Sequence, residues 1–193
     1  MKIKVAIFAS GNGTNAEAIL QYFNNHERIS VECLLTNNPE AYVIERARKW
    51  NKPCYIFSRE QLYHSEDVIN YLEEKAIDLI VLAGFLWLVP VAIIKKIPLI
   101  LNIHPALLPK YGGKGMYGSR VHQQVLENKD PFTGITIHYV NSEYDEGNII
   151  FQKKCEVLPS DTIKDIERKV HVLEHEHYPE VIEKIAGKTF KKS

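Results

Sequence analysis

Short apolar segments alternate with amphipathic segments along the first half of the chain. Each apolar segment is four to six residues long and rich in aliphatic or aromatic side chains, which is typical of strands covered on both faces. Strands that alternate with helices predict a parallel sheet with right-handed crossovers. We therefore expect an α/β fold with a doubly wound, mostly parallel, Rossmann-like sheet and helices on both faces. The predicted strands are residues 3–8, 31–35, 54–57, 78–83 and 99–103.

The remaining segments predict helices and a hairpin. Two β-rich runs, residues 133–140 and 149–157, are joined by a long acidic loop and predict a C-terminal antiparallel hairpin. Helical patterns cover residues 14–23, 41–50, 61–75, 90–96 and 119–128. Proline at the start of the fourth of these helices suits a first helical turn.

A last helix follows the hairpin. Its expected N-cap is Ser160 or Asp161, and it should extend to about Ala186 and be closed by Gly187. Pro179 should kink or split it, because proline removes a backbone donor and its ring crowds the preceding turn.

The size and charge of the chain narrow the classes of function. A chain of 193 residues without repeats suits a single domain, residues 1–193. Its formal net charge is +0 and it has no long basic block, so no nucleic-acid partner is expected. Its three cysteines form no C-x-x-C pair and are expected to be buried, reduced thiols. No apolar run reaches membrane-spanning length, and the amino terminus has the pattern of a strand rather than a signal peptide. We expect a cytoplasmic protein with no membrane partner.

The fifth predicted strand ends in two polar side chains. Asn102 and His104 are two residues apart, so on a strand they point the same way, and Pro105 and Pro109 then end regular structure. An amide and an imidazole at the carboxyl end of a strand suit acyl transfer, in which one stabilises an oxyanion and the other moves a proton. The alternative is an asparagine that caps a turn and a histidine that satisfies a loop.

A glycine-rich loop connects the first strand to the first helix. Gly11 and Gly13 fit the G-x-G-x-x-G/A pattern, in which backbone N–H groups at a helix N-terminus attract anions. A dinucleotide site also requires an acid after the second strand, where this chain has Thr36 and Asn37. A bound monophosphate is the better hypothesis, with a purely structural glycine turn as the alternative.

Two further histidine-containing patterns leave alternatives open. A carboxylate from the hairpin loop, Asp145, would raise the pKa of His104 if the two lie close together, although the loop is also compatible with an ordinary turn. His171, Glu174 and His175 match an inverted zinc-protease pattern. A zinc site would need a third ligand and a closed environment, and an exposed polar helix explains the same pattern.

Several motifs together resemble one family. They are A-S-G-N-G-T-N-A, L-A-G-F-L-W-L-V-P, L-N-I-H-P-A-L-L-P-K-Y, H-Q-Q-V-L-E, G-I-T-I-H-Y-V and D-E-G-N-I-I-F-Q. Their order resembles that in folate-dependent formyltransferases, and the likeness covers nearly the whole chain. The resemblance implies transfer of a formyl group from 10-formyltetrahydrofolate, as cosubstrate and without a metal, to the glycyl amine of phosphoribosylglycinamide in purine synthesis.

The resemblance also implies roles for individual residues. Asn102, protonated His104 and Asp145 would be catalytic, with His138 supporting them. Residues 1–100 would form the ribonucleotide-binding half, and residues 101–193 the catalytic and folate-binding half. The ribonucleotide would bind Gly11, Asn12, Gly13, Thr14, Asn15 and Glu174, which displaces the zinc hypothesis. The folate would bind Leu86, Trp87, Leu88, Val89, Asn141, Ser142, Glu143 and Tyr144.

The chain departs from the family pattern in three places. Trp87 stands where the family commonly has an arginine, and an arginine often found on the third helix has no clear counterpart around residues 65–66. Both departures concern contacts to the glutamate tail of the folate. The loop at residues 112–117 is also longer than in some relatives.

Two other functions compete with this interpretation. A formyltetrahydrofolate deformylase or a transfer-RNA formyltransferase would carry extra domains for which this chain has no length. A nucleotide-binding regulatory module would use the glycine loop alone and leave Asn102, His104 and Asp145 without a role. The chain is expected to be a monomer or a homodimer.

Overall fold

A seven-stranded sheet passes through the protein in the computed structural model, which describes residues 2–190. The strands are β1 (Ile3–Phe8), β2 (Ile29–Thr36), β3 (Cys54–Ile56), β4 (Leu79–Leu82), β5 (Ile100–His104), β6 (Phe132–Tyr139) and β7 (Ile149–Glu156). Their spatial order is β3-β2-β1-β4-β5-β6-β7. The first five are parallel to one another, and β6 and β7 are antiparallel. The predicted fold class and hairpin are confirmed.

Helices cover both faces of this sheet because successive strand residues alternate between two apolar clusters. The helices are α1 (Thr14–Tyr22), α2 (Val43–Lys49), α3 (Arg59–Tyr63), α4 (Asp67–Glu74), α5 (Val91–Lys96), α6 (Ser119–Glu127) and α7 (Ile163–Thr189). Val5 and Ile7 pack on one face with α1, α2 and α7, and Ala6 and Phe8 pack on the other with α3, α4 and α5.

The prediction of a single helix over residues 61–75 is wrong. The segment forms α3 and α4, separated at Ser65. The Ser65 hydroxyl donates to the carbonyl of Gln61 at 3.2 Å and accepts the N–H of Asp67 at 3.2 Å. One short side chain therefore ends the first helix and satisfies a free donor at the start of the next.

The boundaries predicted for the last helix are also wrong. Its N-cap is Thr162, whose hydroxyl accepts the N–H of Asp165 while the Asp165 carboxylate accepts the N–H of Thr162. This reciprocal pair outcompetes Ser160 and Asp161 as the cap. Gly187 lies inside the helix, and Pro179 is buried within one uninterrupted helical segment.

Two smaller expectations also need correction. Pro90 is the N-cap of α5, with extended backbone, rather than its first helical residue. Of the three free cysteines, only Cys33 is buried, and Cys54 and Cys155 are half-buried. Among the helices within residues 2–190, none combines the length and apolar character that crossing a membrane requires.

The sheet topology fixes where a ligand can bind. The strand order reverses between β1 and β4, so the loops that follow these two strands diverge to opposite faces and leave a crevice at their carboxyl ends. The glycine loop follows β1, and β5, which carries Asn102 and His104, lies next to β4.

Candidate active site

One cavity of about 570 Å³ occupies this crevice, a size suited to small-molecule ligands. Loops after three strands, the hairpin loop and α7 all contribute to its wall. It is lined by residues 10–15, 83–86, 102–105 and 113–118, together with His122, Tyr144, Asp145, Glu167, His171 and Glu174. The glycine loop and the His104 region, which are far apart in sequence, therefore share one cavity.

His104 and Asp145 meet in this cavity. Nδ1 of His104 lies 3.5 Å from Oδ2 of Asp145, and Nε2 of His104 donates to the carbonyl oxygen of Tyr111 at 2.7 Å. Burial lowers the pKa of His104 by more than the charge of Asp145 and the Tyr111 bond raise it. Asp145 therefore raises the pKa of His104 as expected, but the net pKa is lowered because the ring is withdrawn from water.

Asp145 is held as a carboxylate. Burial by itself would raise its pKa, but the neighbouring His138 and His104 rings and the N–H of Gly113 together lower it below the usual value. The Gly113 N–H donates to Oδ2 at 2.9 Å. Burial thus favours the neutral form of His104, and the groups around Asp145 favour its ionised form.

Asn102 lies within hydrogen-bonding distance of Asp145 and of a second histidine, His138. Its Nδ2 is 3.1 Å from Nε2 of His138 and 3.4 Å from Oδ1 of Asp145. His138 donates from Nδ1 to the carbonyl of Tyr139 at 2.8 Å, which leaves Nε2 as an acceptor for the amide. The side chains of Asn102, His104, His138 and Asp145 form one connected cluster.

The glycine loop and Glu174 form the other end of the cavity. Gly13 has φ 74°, and an added Cβ there would lie 2.6 Å from the side chain of Val43, so only glycine fits at the start of α1. Asn15 donates from Nδ2 to Glu174 at 2.9 Å, while its buried Oδ1 has no partner among residues 2–190. Burial raises the pKa of Glu174 to about 7.

Only two of the eight residues predicted to bind folate line the cavity. Leu86 and Tyr144 line the cavity, whereas Trp87, Leu88 and Val89 are not among its lining residues. Trp87 packs against Phe57 and Tyr63, the carbonyl of Leu88 accepts the Tyr63 hydroxyl at 2.8 Å, and Val89 lies in the core. The exposed residues Asn141, Ser142 and Glu143 also lie outside the cavity lining.

An arginine is nevertheless present on the third helix. Arg59 lies earlier than residues 65–66, and its guanidinium stacks over the rings of Tyr63 at 5.1 Å and Trp87 at 5.7 Å. A cation therefore lies beside the Trp87 side chain, where sequence reasoning found none.

Sequence reasoning missed several lining residues. Ser10 ties two loops together, because its hydroxyl donates to Asn37 at 2.6 Å and accepts the N–H of Leu86 at 3.0 Å. In the sequence, nothing about a serine before a glycine loop indicates that its side chain connects two loops. His122 is buried, which lowers its pKa to about 4, and its place in a helical pattern gave no reason to expect it in the cavity. The other missed residues are Ala83, Gly84, Phe85, Ile103, Pro105, Gly113, Lys114, Gly115, Met116, Tyr117, Gly118 and Glu167. His171 also lines the cavity, although the sequence suggested it only as a zinc ligand.

The three residues of the inverted zinc-protease pattern are not arranged as metal ligands in the described structure. The rings of His171 and His175 stack at 5.9 Å, and Glu174 turns inward to Asn15. Residues 2–190 contain no cluster of three metal-ligating side chains.

The fold and the cavity define a class of α/β protein whose ligand-binding crevice lies at the carboxyl ends of the strands. The formyl transferase family model matches residues 3–182. The chain belongs to the formyl transferase family and is a formyl-group transferase.

Individual relatives agree with this assignment. The chain is 37% identical to a chloroplastic phosphoribosylglycinamide formyltransferase of Arabidopsis thaliana, over 97% of this chain and 67% of that protein. It is 36% identical to the phosphoribosylglycinamide formyltransferase of Bacillus subtilis, over 95% of each. A solved structure, glycinamide ribonucleotide transformylase 1 from Symbiobacterium toebii, matches with a TM-score of 0.88 and 32% identity, over 97% of this chain and 89% of that chain.

Proposed function

We propose that this enzyme transfers the formyl group of 10-formyltetrahydrofolate to the glycyl amine of phosphoribosylglycinamide. The observation that carries the proposal is that one cavity joins an anion-binding loop at Gly13 to the His104–Asp145 pair. A substrate with a phosphate at one end and a reacting amine at the other would span these two ends. The names of the relatives support the same pair of substrates.

The ribonucleotide would bind at the end of the cavity nearer α7. Backbone N–H groups of residues 11–15 at the start of α1 suit a phosphate. The unpartnered Oδ1 of Asn15 and the carboxyl group of Glu174 offer acceptors to the rest of the ribonucleotide. In this proposal, Glu174 binds substrate rather than zinc.

The folate would bind along the loop after β4. Gly84 has φ 75°, and an added Cβ there would meet no atom within 4 Å, so open space is available beside Phe85 and Leu86 for a flat ring system. The cosubstrate supplies the formyl carbon. Tyr144 in the hairpin loop lies on the opposite wall of the same cavity.

His104 would act as a base. A neutral imidazole can take the proton that the attacking amine loses and return it to the folate nitrogen that leaves, so the proton is conserved over the reaction. Nδ1 is the nitrogen available for this, because Nε2 donates to Tyr111. Asp145 would stabilise the cation formed for part of the cycle.

Asn102 would stabilise the oxyanion. Of its two amide contacts, the one to Asp145 is the longer at 3.4 Å, so this N–H is the more easily given up to a developing negative oxygen. A donor of this kind is worth about 3–4 kcal/mol in other acyl-transfer sites.

A two-substrate assay tests the proposal. Formylation of phosphoribosylglycinamide is measured alongside hydrolysis of 10-formyltetrahydrofolate with no amine present. We expect transfer to exceed hydrolysis by a large factor. Hydrolysis without transfer would indicate a deformylase, and binding of both ligands without either reaction would indicate a regulatory module.

A further inference from the structure

Tyr111 has a strained backbone and contacts the catalytic ring. Its φ is 62°, in the left-handed region that costs a bulky residue about 1–3 kcal/mol. Its carbonyl oxygen accepts the hydrogen bond from Nε2 of His104 at 2.7 Å. A strained conformation of this kind persists only when surrounding contacts hold it in place.

The side chain of Tyr111 supplies those contacts. Its hydroxyl donates to Oδ2 of Asp130 at 2.6 Å and accepts from Nδ2 of Asn128 at 2.7 Å. Lys110 donates to the same Asp130 carboxylate. The segment that joins α6 to β6 therefore holds the hydroxyl of Tyr111. The backbone carbonyl of the same residue contacts His104 in the active site.

The next residues along the chain contact the other member of the catalytic pair. The N–H of Gly113 donates to Oδ2 of Asp145. Between them, an added Cβ at Gly112 would lie 2.6 Å from Leu108 and 3.3 Å from the Cβ of Asp145. This short backbone segment is thus packed tightly against both His104 and Asp145.

We propose that Tyr111 is a positioning residue for His104, because its anchored side chain fixes the carbonyl that keeps a proton on Nε2. Nδ1 is then the ring nitrogen that faces Asp145 and exchanges the proton of the reaction. A rotated ring, or one protonated on Nδ1, would present no acceptor there. The kinetic part of this inference rests on the proposed function, whereas the tautomer of His104 is measurable without turnover.

The test is the Tyr111→Phe variant, which keeps the aromatic ring and removes every hydrogen bond of the hydroxyl, including a longer one to the carbonyl of Gln124 at 3.4 Å. Nitrogen-15 NMR of the histidine side chains, with His104→Gln used to assign the signal, reports which ring nitrogen carries the proton. We expect His104 to be protonated on Nε2 in the wild-type protein and to be a mixture of tautomers in the variant. We also expect kcat to fall about tenfold or more, with both KM values nearly unchanged.

The pH profile separates positioning from general loss of structure. The bond to Tyr111 raises the pKa of His104, so weakening it should move the acidic limb of kcat to lower pH. A loss of folded protein would lower kcat at every pH and leave the limb in place.

Matched variants complete the design. Asp130→Ala removes the anchor without touching Tyr111 and should reproduce the Tyr111→Phe effects, and the double variant should be no worse than either single one. Asp130→Asn keeps an acceptor oxygen for the hydroxyl and should restore the wild-type tautomer. Tyr42→Phe removes an exposed hydroxyl that makes no side-chain hydrogen bond within residues 2–190 and should change nothing.

Two results would overturn the inference: an unchanged His104 tautomer in both Tyr111→Phe and Asp130→Ala, or a changed tautomer with wild-type kcat. If the wild-type protein fails to formylate phosphoribosylglycinamide while the tautomer responds as expected, the proposed function fails and the positioning role stands.

Discussion

Nδ1 of His104 lies 3.5 Å from Oδ2 of Asp145, although one residue ends β5 and the other belongs to the hairpin loop. Only 4% of the histidine side chain and 11% of the aspartate side chain are exposed. Burial favours the neutral ring, and the carboxylate favours the proton that the ring gains during reaction. His104 is therefore suited to act as a base, because burial favours its unprotonated ring at neutral pH and Asp145 stabilises the ring once it is protonated.

Replacing Asp145 by asparagine should lower kcat by about a hundredfold, because the charged ring loses its counterion. The carboxylate raises the pKa of His104, so its removal should lower that pKa further and shift the acidic limb of kcat to lower pH. Measuring kcat from pH 5 to 8 for both proteins tests this, and an acidic limb at the same pH would refute the coupling.

Replacing Gly13 by alanine should weaken ribonucleotide binding selectively. The new Cβ would lie 2.6 Å from Val43 on a backbone with φ 74°, so the loop must shift away from the phosphate. We expect the KM for phosphoribosylglycinamide to rise about tenfold, with the KM for the formyl-folate unchanged. Equal increases in both would show that the loop does not hold the phosphate.

Replacing Glu174 by glutamine should change how stability depends on pH. Burial raises the pKa of Glu174 from 4.5 to about 7 in the folded state, so between these values the folded protein binds more protons than the unfolded chain. The stability contributed by the protonated group is complete below pH 4.5 and is lost as pH rises through 7.

Glutamine does not titrate, so the variant does not lose this stability as pH rises. The free energy of unfolding of the variant minus that of the wild type should therefore rise by up to about 3 kcal/mol from pH 4.5 to pH 8. Urea denaturation at both pH values measures it. Glu180→Gln, at an exposed position on the same helix, is the control and should show no such rise. A flat difference for Glu174→Gln would contradict the buried carboxyl.

The fold was largely predictable because apolar runs and helical periodicity extend over whole elements. All five predicted parallel strands are present, and so is the hairpin. The break at Ser65 was missed because Leu62 and Val68 both face the core, so the apolar periodicity continues across it. Capping by Thr162 was missed because three neighbouring polar residues offered equally good caps.

The candidate site could be predicted from sequence only at residues whose type and position are typical of catalysis or ligand binding. Asn102, His104 and the glycine loop were expected at one ligand crevice, and they line one cavity, because the carboxyl ends of parallel strands lie at the same edge of a sheet. The sign of the pKa shift at His104 depends on burial, which three-dimensional packing determines. The role of Tyr111 depends on a backbone angle and on a partner, Asp130, from another segment, and neither leaves a pattern in sequence.

The most direct test of the role of His104 is the activity of His104→Ala, with the binding of each ligand measured separately. We predict that formyl transfer to phosphoribosylglycinamide falls by about 10²–10⁴ in kcat, while the dissociation constants of the ribonucleotide and of a folate analogue change by less than about threefold, or under 1 kcal/mol. A variant that retains kcat within about tenfold of wild type, a barrier change of only about 1.4 kcal/mol, would contradict the assignment of His104 as the base.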